Sequence, residues 1–210
     1  MAGLIETIEF ARHLGRAGRD IARNERALWR LERRFDDLRI VRPFSIVSPE
    51  RLQVGRNLLI LRNCHFHCGG MAWSERQGHI TVGDDCWFSE NNVLYGAGGI
   101  TIGNKTGMGP GVMIFSSRED ISLESAKPKK ERAHLLGPVV IGSHVLVFAG
   151  VIIGPDVNVG DGAVIGAGSV VLEDVPPWSI VAGVPAKVVR ERGADAKVGS
   201  MFRVEPDMVE

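Results

Sequence analysis

A repeat of six residues dominates the segment from Ile141 to Val171. Its five hexads each begin with Ile or Val, Gly is second in four of them, and the fifth residue is always Val, Ala or Ser. Amphipathic helices and ordinary strands do not have this period, which indicates a solenoid whose coils have three short sides. The first and fifth residues should point inward, and the first should stack on its equivalent three hexads later. Gly, Asn and Asp between them suit tight corners, some with positive φ.

The segment after the repeat, Val175 to Arg190, has the sequence VPPWSIVAGVPAKVVR. Together with the hexads it resembles the hexapeptide-repeat acyltransferases, in particular the branch that acetylates sugars and antibiotics. The resemblance covers about residues 54–190. It implies an all-β solenoid, a left-handed parallel β-helix, with acetyl-coenzyme A as the acyl donor and a sugar or glycoconjugate as the acceptor. The left hand follows from the family, because general chirality rules favour right-handed crossovers.

The overall composition excludes several other classes of protein. The 210 residues carry a formal net charge of zero, so no global field attracts nucleic acid. We find no apolar run long enough to span a membrane and no continuous apolar stretch of a signal peptide at the N-terminus. The three cysteines lack the spacing of a disulfide scaffold, which favours a reducing cytoplasm. No phosphate-binding loop of the NAD or ATP type is present, so those cofactors are disfavoured.

Residues 4–38 have apolar residues at helical spacing and are predicted to form a helix. Eight arginines fall in the same stretch, alternating with Glu and Asp. The simplest interpretation is a helical cap with a solvated charged face. The alternative is docking on a membrane surface or a partner enzyme, although the acidic residues weaken it.

The solenoid is expected to begin at Val54, to lose its register over residues 69–79, and to comprise five to seven coils up to residue 175. We assign residues 1–40 to the helical segment, 41–190 to the β-helix and 191–210 to a tail. Within the β-helix, residues 116–138 are polar and lack hexads, so they should protrude as a loop. In the family, a loop at this place reaches a neighbouring subunit and carries active-site residues.

Acyl transfer needs a base that takes the acceptor's proton and a donor that stabilises the oxyanion. The family usually supplies a His near the start of this loop, but alignment on Ile114 places Glu119 there. Three explanations remain open: Glu119 or Asp120 is the base, another His is the base, or the protein is inactive. His144 is the leading alternative, at the corner of the first coil after the loop. One branch of the family combines an acidic loop with a His at this corner, and Glu119–Ser122 with His144 resembles that pairing.

Other candidate residues have structural alternatives. Ser89, Asn91, Asn92, Ser117 and His134 are candidates for contacting the acceptor, although Asn also suits a tight corner and His134 suits a loop surface. In the segment Cys64 to Cys68, strand alternation should point both Cys inward and both intervening His outward, where those His could line the substrate cleft. Four ligands on two faces cannot share a tetrahedral zinc ion, so we expect no metal.

The late coils are expected to hold the pantetheine arm of coenzyme A, where small residues let the backbone approach. The candidates are Ala149, Gly166, Ala167, Gly168 and Ser169, with Lys187 and Arg190 for the nucleotide phosphates. Small residues are equally what solenoid corners require, so this assignment rests on the resemblance.

Three functions compete: a coenzyme A-dependent acyltransferase, an inactive solenoid that serves as a scaffold, and a metal-dependent hydratase with His65, His67 and His144. The retained closing segment and the long loop favour the first. The resemblance also implies a homotrimer with active sites between subunits. We expect a wall of the solenoid to expose apolar residues such as Val145, Val151 and Val157 that this assembly would cover.

Overall fold

A computed structural model describes residues 18, 21–35, 37–122 and 134–192. They form one helix, a parallel β-helix of six coils and a closing hairpin. Each complete coil contributes one strand to each of three parallel sheets, which we call faces A, B and C in chain order. The fold class predicted from the hexads is confirmed.

The strands of the three faces follow one another along the chain with few interruptions. Face A contains β1 (Leu38–Ile40), β4 (Leu58–Ile60), β7 (Trp87–Phe88), β10 (Gly107–Met108), β15 (Leu146–Val147), β18 (Val164–Ile165), β20 (Ser179–Gly183) and β21 (Ala186–Glu191). The last two strands are antiparallel and form the closing hairpin. Face B contains β2 (Phe44–Val47), β5 (Cys64–His67), β8 (Val93–Tyr95), β11 (Met113–Phe115), β16 (Ile152–Ile153) and β19 (Val170–Val171). Face C contains β3 (Leu52–Val54), β6 (Ile80–Val82), β9 (Ile100–Ile102), β14 (Val139–Ile141) and β17 (Asn158–Val159).

The interior consists of columns of apolar side chains that stack along the solenoid axis. Ile141 pairs with Val159, and Ile153 pairs with Val171, so residues three hexads apart are neighbours as the period predicts. All four side chains are buried. In the early coils the same columns hold aromatic rings, with Phe66 packed edge-on between Phe44 and Phe88. Such interdigitated stacking makes burial continuous from the first coil to the last.

One expectation about the surface is wrong. Val145, Val151 and Val157 are fully buried rather than exposed on a wall, because the fifth residue of each hexad points inward at a corner. The exposed apolar side chains of the late coils are different ones, among them Val140 and Phe148.

The solenoid also starts earlier than Val54. Strands β1 and β2 form a first coil, and residues 21–34 form helix α1, so the helix ends before residue 38. Leu28 and Leu31 of α1 are buried against the open end of the core. Of the predicted helix, residues 4–17, 19 and 20 lie outside the described residues, as do residues 193–210 of the predicted tail. The tail begins later than predicted, because Glu191 is the last residue of a strand and Arg192 is buried.

Asn24 attaches α1 to the free edge of face B. Its amide nitrogen donates to the carbonyl of Phe44, 2.7 Å away, and its amide oxygen accepts from the N–H of Ile46 at 3.1 Å. These are the contacts that a further strand would make, so the side chain satisfies part of an exposed sheet edge. The helix therefore caps the core and blunts the edge. Within the described residues, no helix is long and apolar enough to cross a membrane.

Two segments interrupt the coils, and both lie at the corner between faces B and C. The first, residues 69–79, contains the 3-10 turn Ala72–Ser74. The second interrupts the fourth coil, and its ends form an antiparallel ribbon of β12 (Ser117–Glu119) and β13 (His134–Leu136). We call residues 117–136 the arm. The sequence predicted a protruding loop here, and the structure adds that its two ends are paired strands.

Candidate functional site

The base of the arm is fixed to the solenoid by Ser116. This residue is fully buried, and its hydroxyl donates to the carbonyl of Tyr95 at 2.8 Å and accepts from the N–H of Gly98 at 2.9 Å. Its carbonyl accepts from the N–H of Gly137, where the arm returns. The arm therefore leaves from a hydrogen-bonded base at the corner between faces B and C.

The arm brings two of the predicted residues together. Glu119 and His134 are directly opposite each other in the antiparallel ribbon. The His134 ring stacks on the indole of Trp73 with their centroids 4.0 Å apart. Trp73 belongs to the first interrupting segment, so the two non-repeating segments of the chain meet at this stack. Asp120 accepts hydrogen bonds from both the backbone N–H and the hydroxyl of Ser122, which turns the chain beyond the ribbon.

An aromatic stripe runs along the outside of face B and ends beside the arm. His67, Tyr95 and Phe115 are aligned on adjacent strands. The rings of His67 and Tyr95 stack at 5.3 Å, and those of Tyr95 and Phe115 at 5.9 Å. His65 extends the stripe toward the first coil, where its Nδ1 is 3.0 Å from the hydroxyl of Ser45. Partial burial lowers the pKa of His65 and of His67, because it disfavours the charged form of each ring.

The other border of face B is a column of small residues at the corner that follows face A. Gly150 and Gly168 have positive φ, of 67° and 69°, and a Cβ built on either would meet nothing within 4 Å. The N–H of Gly168 donates to the carbonyl of Ala149 one coil below. We call residues 149–150 and 166–168 the glycine corner. The predicted coenzyme A residues Ala149, Gly166 and Ala167 therefore lie together on consecutive coils.

The remaining predicted coenzyme A residues differ in exposure. Ser169 is fully buried, and its hydroxyl donates to the carbonyl of Gly166 and accepts from the N–H of Gly183, so its side chain does not face the surface. Lys187 pairs with Ala182 across the closing hairpin, next to Gly166, and its ammonium binds Glu173 at 2.8 Å. Arg190 is exposed on the same edge strand.

His144 lies at a different corner of the prism, between faces C and A. It is exposed and adopts a left-handed conformation with φ of 59°. Its carbonyl accepts a hydrogen bond from Arg192, whose guanidinium is almost fully buried and also binds the carbonyl of Gly162. The width of face C separates His144 from the base of the arm, so the structure does not bring His144 and Glu119 together within one chain.

The polar residues of the third coil also divide into two groups. Asn92 is fully buried, and its amide binds the carbonyl of Ser89 and the N–H of Val112. It therefore shapes the corner rather than facing a ligand. Asn91 is exposed at that corner with φ of 62°.

The cysteines belong to the core. Cys64, Cys68 and Cys86 are buried, and burial raises the pKa of the Cys68 thiol to about 12. The outward orientation predicted for His65 and His67 and the inward one predicted for Cys64 and Cys68 are confirmed. Among the described residues, no cluster of three or more His, Cys, Asp or Glu side chains could hold a metal ion. His144 lies on another corner from His65 and His67, so these three His do not converge within one chain.

Sequence reasoning missed three contributors: Trp73, Tyr95 and Arg192. Tyr95 could have been found, because it is the only tyrosine of the chain and continues the outward alternation of His67. Trp73 lies in an irregular segment, and Arg192 acts through a buried contact with a distant corner, so no local pattern marks either residue.

Comparison with known proteins identifies close counterparts of this architecture. A family model for the bacterial transferase hexapeptide, six repeats, matches residues 134–173. A putative acetyltransferase of Saccharomyces cerevisiae is 33% identical over 70% of this chain and 76% of its own length. A dTDP-4-amino-4,6-dideoxy-D-glucose acyltransferase of Escherichia coli is 30% identical over 75% of this chain and 80% of its own length.

Solved structures show the same fold. The N-acyltransferase AntD from Bacillus cereus, in a complex with dTDP-4-amino-4,6-dideoxyglucose and coenzyme A, is 25% identical to this chain. The match has a TM-score of 0.66 and covers 75% of this chain and 81% of AntD. A hexapeptide-repeat acetyltransferase from Vibrio cholerae shares the fold with a TM-score of 0.55 at 24% identity, over 85% of this chain and 90% of its own.

Proposed function

The chain belongs to the hexapeptide-repeat acyltransferase family, and from this premise we propose that it transfers an acetyl group from acetyl-coenzyme A to a hydroxyl or amino group of a sugar or glycoconjugate. The observation that carries the proposal is the arrangement of face B. An open glycine corner borders it on one side, the arm borders it on the other, and an aromatic stripe lies between them.

The glycine corner is the proposed site of the pantetheine arm. Ala149, Gly166 and Ala167 leave backbone amides and carbonyls accessible, which matches the peptide-like chemistry of pantetheine. Lys187 and Arg190 lie at the last edge strand, where their cationic groups can meet the nucleotide phosphates. Lys187 must then exchange Glu173 for phosphate. Ser169 contributes its backbone alone.

Acetyl transfer itself needs a base on the acceptor and stabilisation of the tetrahedral oxyanion. We propose His144 as the base, with Glu119 or Asp120 of a neighbouring subunit orienting the imidazole and raising its basicity. The separation of arm and His144 within one chain is why this arrangement requires an assembly. The acceptor oxygen or nitrogen attacks the acetyl carbonyl carbon, and its proton passes to Nε2 or Nδ1 of His144. The tetrahedral intermediate then collapses, the C–S bond breaks, and the imidazolium gives that proton to the sulfur, so coenzyme A leaves as the thiol.

A homotrimer is the proposed assembly, with each arm reaching toward the next subunit. The acceptor is proposed to lie on the aromatic stripe of face B near Ser117 and His134, with Ser89 and Asn91 as further candidate contacts. We place the reaction in the cytoplasm, which is consistent with three free, buried cysteines.

Two measurements test this proposal. Calorimetry with coenzyme A should show binding, and an absence of binding at about millimolar ligand would identify the chain as an inactive scaffold instead. His144→Ala should lower kcat by at least about 100-fold while coenzyme A affinity is retained, the lower end of a general-base contribution. Wild-type turnover by this variant would remove His144 from the site and leave the arm carboxylates as the base.

A further inference from the structure

A groove lies between helix α1 and the first coil, at the end of face B opposite the closing hairpin. Four arginines of the helix line it: Arg23, Arg26, Arg30 and Arg34. The other wall is the chain from Pro43 to Glu50, with Asn63 and His65 of the second coil. Because Asn24 ties the helix to the edge of β2, the two walls are held at a fixed separation.

The charge of the groove is unevenly distributed. Two carboxylates also line it, Glu25 and Glu50, and Glu25 already binds the guanidinium of Arg42 at 3.1 Å. The other acid of the described helix, Glu32, binds the same guanidinium at 2.9 Å. Arg42 therefore binds both carboxylates of α1, on one side of the helix. Arg26 and Arg30 are one helical turn apart on the groove side, a like-charge spacing that destabilises an isolated helix unless an anion offsets it.

The groove is continuous with the aromatic stripe. Ser45 and His65 line the groove and are paired on neighbouring strands, and His65 contacts the ring of His67. From β2 to β11 there are three strand spacings, a distance of about 14 Å. An occupant on the stripe would thus have its reacting group beside the arm and its other end among the arginines.

Resting on the proposed function, we propose that the acceptor is an elongated anionic glycoconjugate whose phosphate or carboxylate binds Arg26 and Arg30 in this groove. The sugar portion lies on His67, Tyr95 and Phe115, where aromatic faces give apolar contact area and a few polar groups fix the orientation. Guanidinium groups bind phosphate and carboxylate through paired N–H donors, and Arg is the residue that suits such recognition. A small neutral sugar would reach the stripe without using the groove.

The double variant Arg26→Gln/Arg30→Gln tests this assignment, with Arg33→Gln as the matched control. Arg33 belongs to the same helix, but it stacks on Trp29 at 4.9 Å and does not line the groove. Two anionic probes distinguish the possible sources of charge: dTDP for a phosphate and trigalacturonate for a carboxylate. Maltotriose is the neutral probe, and calorimetry at low and high salt measures each affinity.

We expect at least one anionic probe to bind wild type and Arg33→Gln with affinities within about 2-fold of each other. The same probe should bind the double variant at least about 10-fold more weakly, and salt should diminish this difference in affinity. The probe that responds identifies the source of the charge. Maltotriose and coenzyme A should bind all three proteins alike. The groove assignment is overturned if neither anionic probe binds wild type, or if the double variant binds both as tightly as wild type.

Coenzyme A separates this result from the proposed function. If the wild-type protein does not bind coenzyme A, the proposed acyltransferase function is contradicted, whatever the anionic probes do. If the wild-type protein binds coenzyme A but the double variant binds both anionic probes as tightly as wild type, only the groove assignment is contradicted. In turnover assays with an anionic acceptor, the double variant should raise KM and leave kcat within about 2-fold, because the arginines lie away from the reacting atoms.

Discussion

Gly107 shows how strongly a single residue can be constrained on the outside of the solenoid. It lies on face A between Trp87 and Leu146 of the adjacent coils. A Cβ built on Gly107 would overlap Cζ2 of the Trp87 indole, closer than any real contact allows. The glycine is required by the ring that covers it, and not by its backbone conformation.

Gly107→Ala should therefore lower the free energy of unfolding by about 1–3 kcal/mol through overpacking. The same substitution in a Trp87→Ala background should cost much less, because the indole is gone. Urea denaturation of the four proteins gives the coupling between the two positions. Equal costs in both backgrounds would show that Trp87 is not the obstacle.

The two partly buried histidines of face B should make stability depend on pH. Burial lowers the pKa of His65 and His67, so the unfolded chain binds protons first as the pH falls. Their neutral forms stabilise fully above the unfolded pKa of about 6.5, and this stability is lost progressively below it.

The double variant His65→Gln/His67→Gln should show a smaller drop in Tm between pH 7.5 and pH 5.5, taken as about one unit either side of that unfolded pKa. Arg33→Gln, a surface substitution that keeps every histidine, is the control and should keep the wild-type drop. An unchanged pH dependence of Tm in the double variant would mean that these two rings do not cause the loss of stability at acid pH.

At the residue scale, the sequence predicts which side chains point inward and which point outward. It does not distinguish a ligand-binding groove from an ordinary corner of the solenoid. The hexad period predicts that Ile141 and Ile153 are buried, because the period itself encodes their orientation. Ser169 and Ala149 belong to the same small-residue class, yet one is buried and the other is exposed. Their difference follows from their places in the hexad, because Ser169 is a fifth residue, which points inward, and Ala149 is a third residue.

Among the elements, α1 and the first coil show why boundaries are harder to predict than periods. Leu31, Phe35 and Leu38 continue a helical spacing, but Leu38 is the first inward residue of β1. Phe44 and Ile46 of β2 alternate over too few residues to form a hexad. The first coil was missed because its apolar residues satisfy two periods at once. The pairing of the arm was also missed, since a ribbon of three residues a side carries little pattern.

The attachment of α1 gives a prediction for this element. Asn24→Ala removes two hydrogen bonds to the edge of β2 and leaves a half-buried carbonyl and N–H unpaired, so the free energy of unfolding should fall by about 1–3 kcal/mol. Asn24→Asp keeps the acceptor for Ile46 and loses the donor for Phe44, and it should be intermediate at neutral pH. Chemical denaturation with Arg33→Gln as the surface control measures the three values. A loss in Asn24→Ala no larger than in the control would mean that the helix is held by Leu28 and Leu31 alone.

At the scale of the whole molecule, the order of the three faces decides which groups can meet. Each coil runs from face A through face B to face C, so the arm and His144 lie at the two borders of face C. The sequence places these segments 25 residues apart, from Glu119 to His144, which gives no hint of that separation. The course of the coils sets that separation, so whether the arm and His144 share an active site depends on the assembly.

Complementation between subunits tests that assembly. His144→Ala retains its arm, and Glu119→Ala/Asp120→Ala retains its His144, so each should be deficient alone. In a trimer built from both at equal ratio, about one quarter of the sites combine an intact arm with an intact His144 of the neighbour. Purification through two different affinity tags isolates the mixed assemblies, each of which has one intact site of three, so their turnover should reach about one third of wild type. Preformed variants mixed without exchange of subunits are the control and should stay deficient. If the arm and His144 acted within one chain, every chain of the mixed assembly would lack one partner, and its activity would not exceed that of the parents.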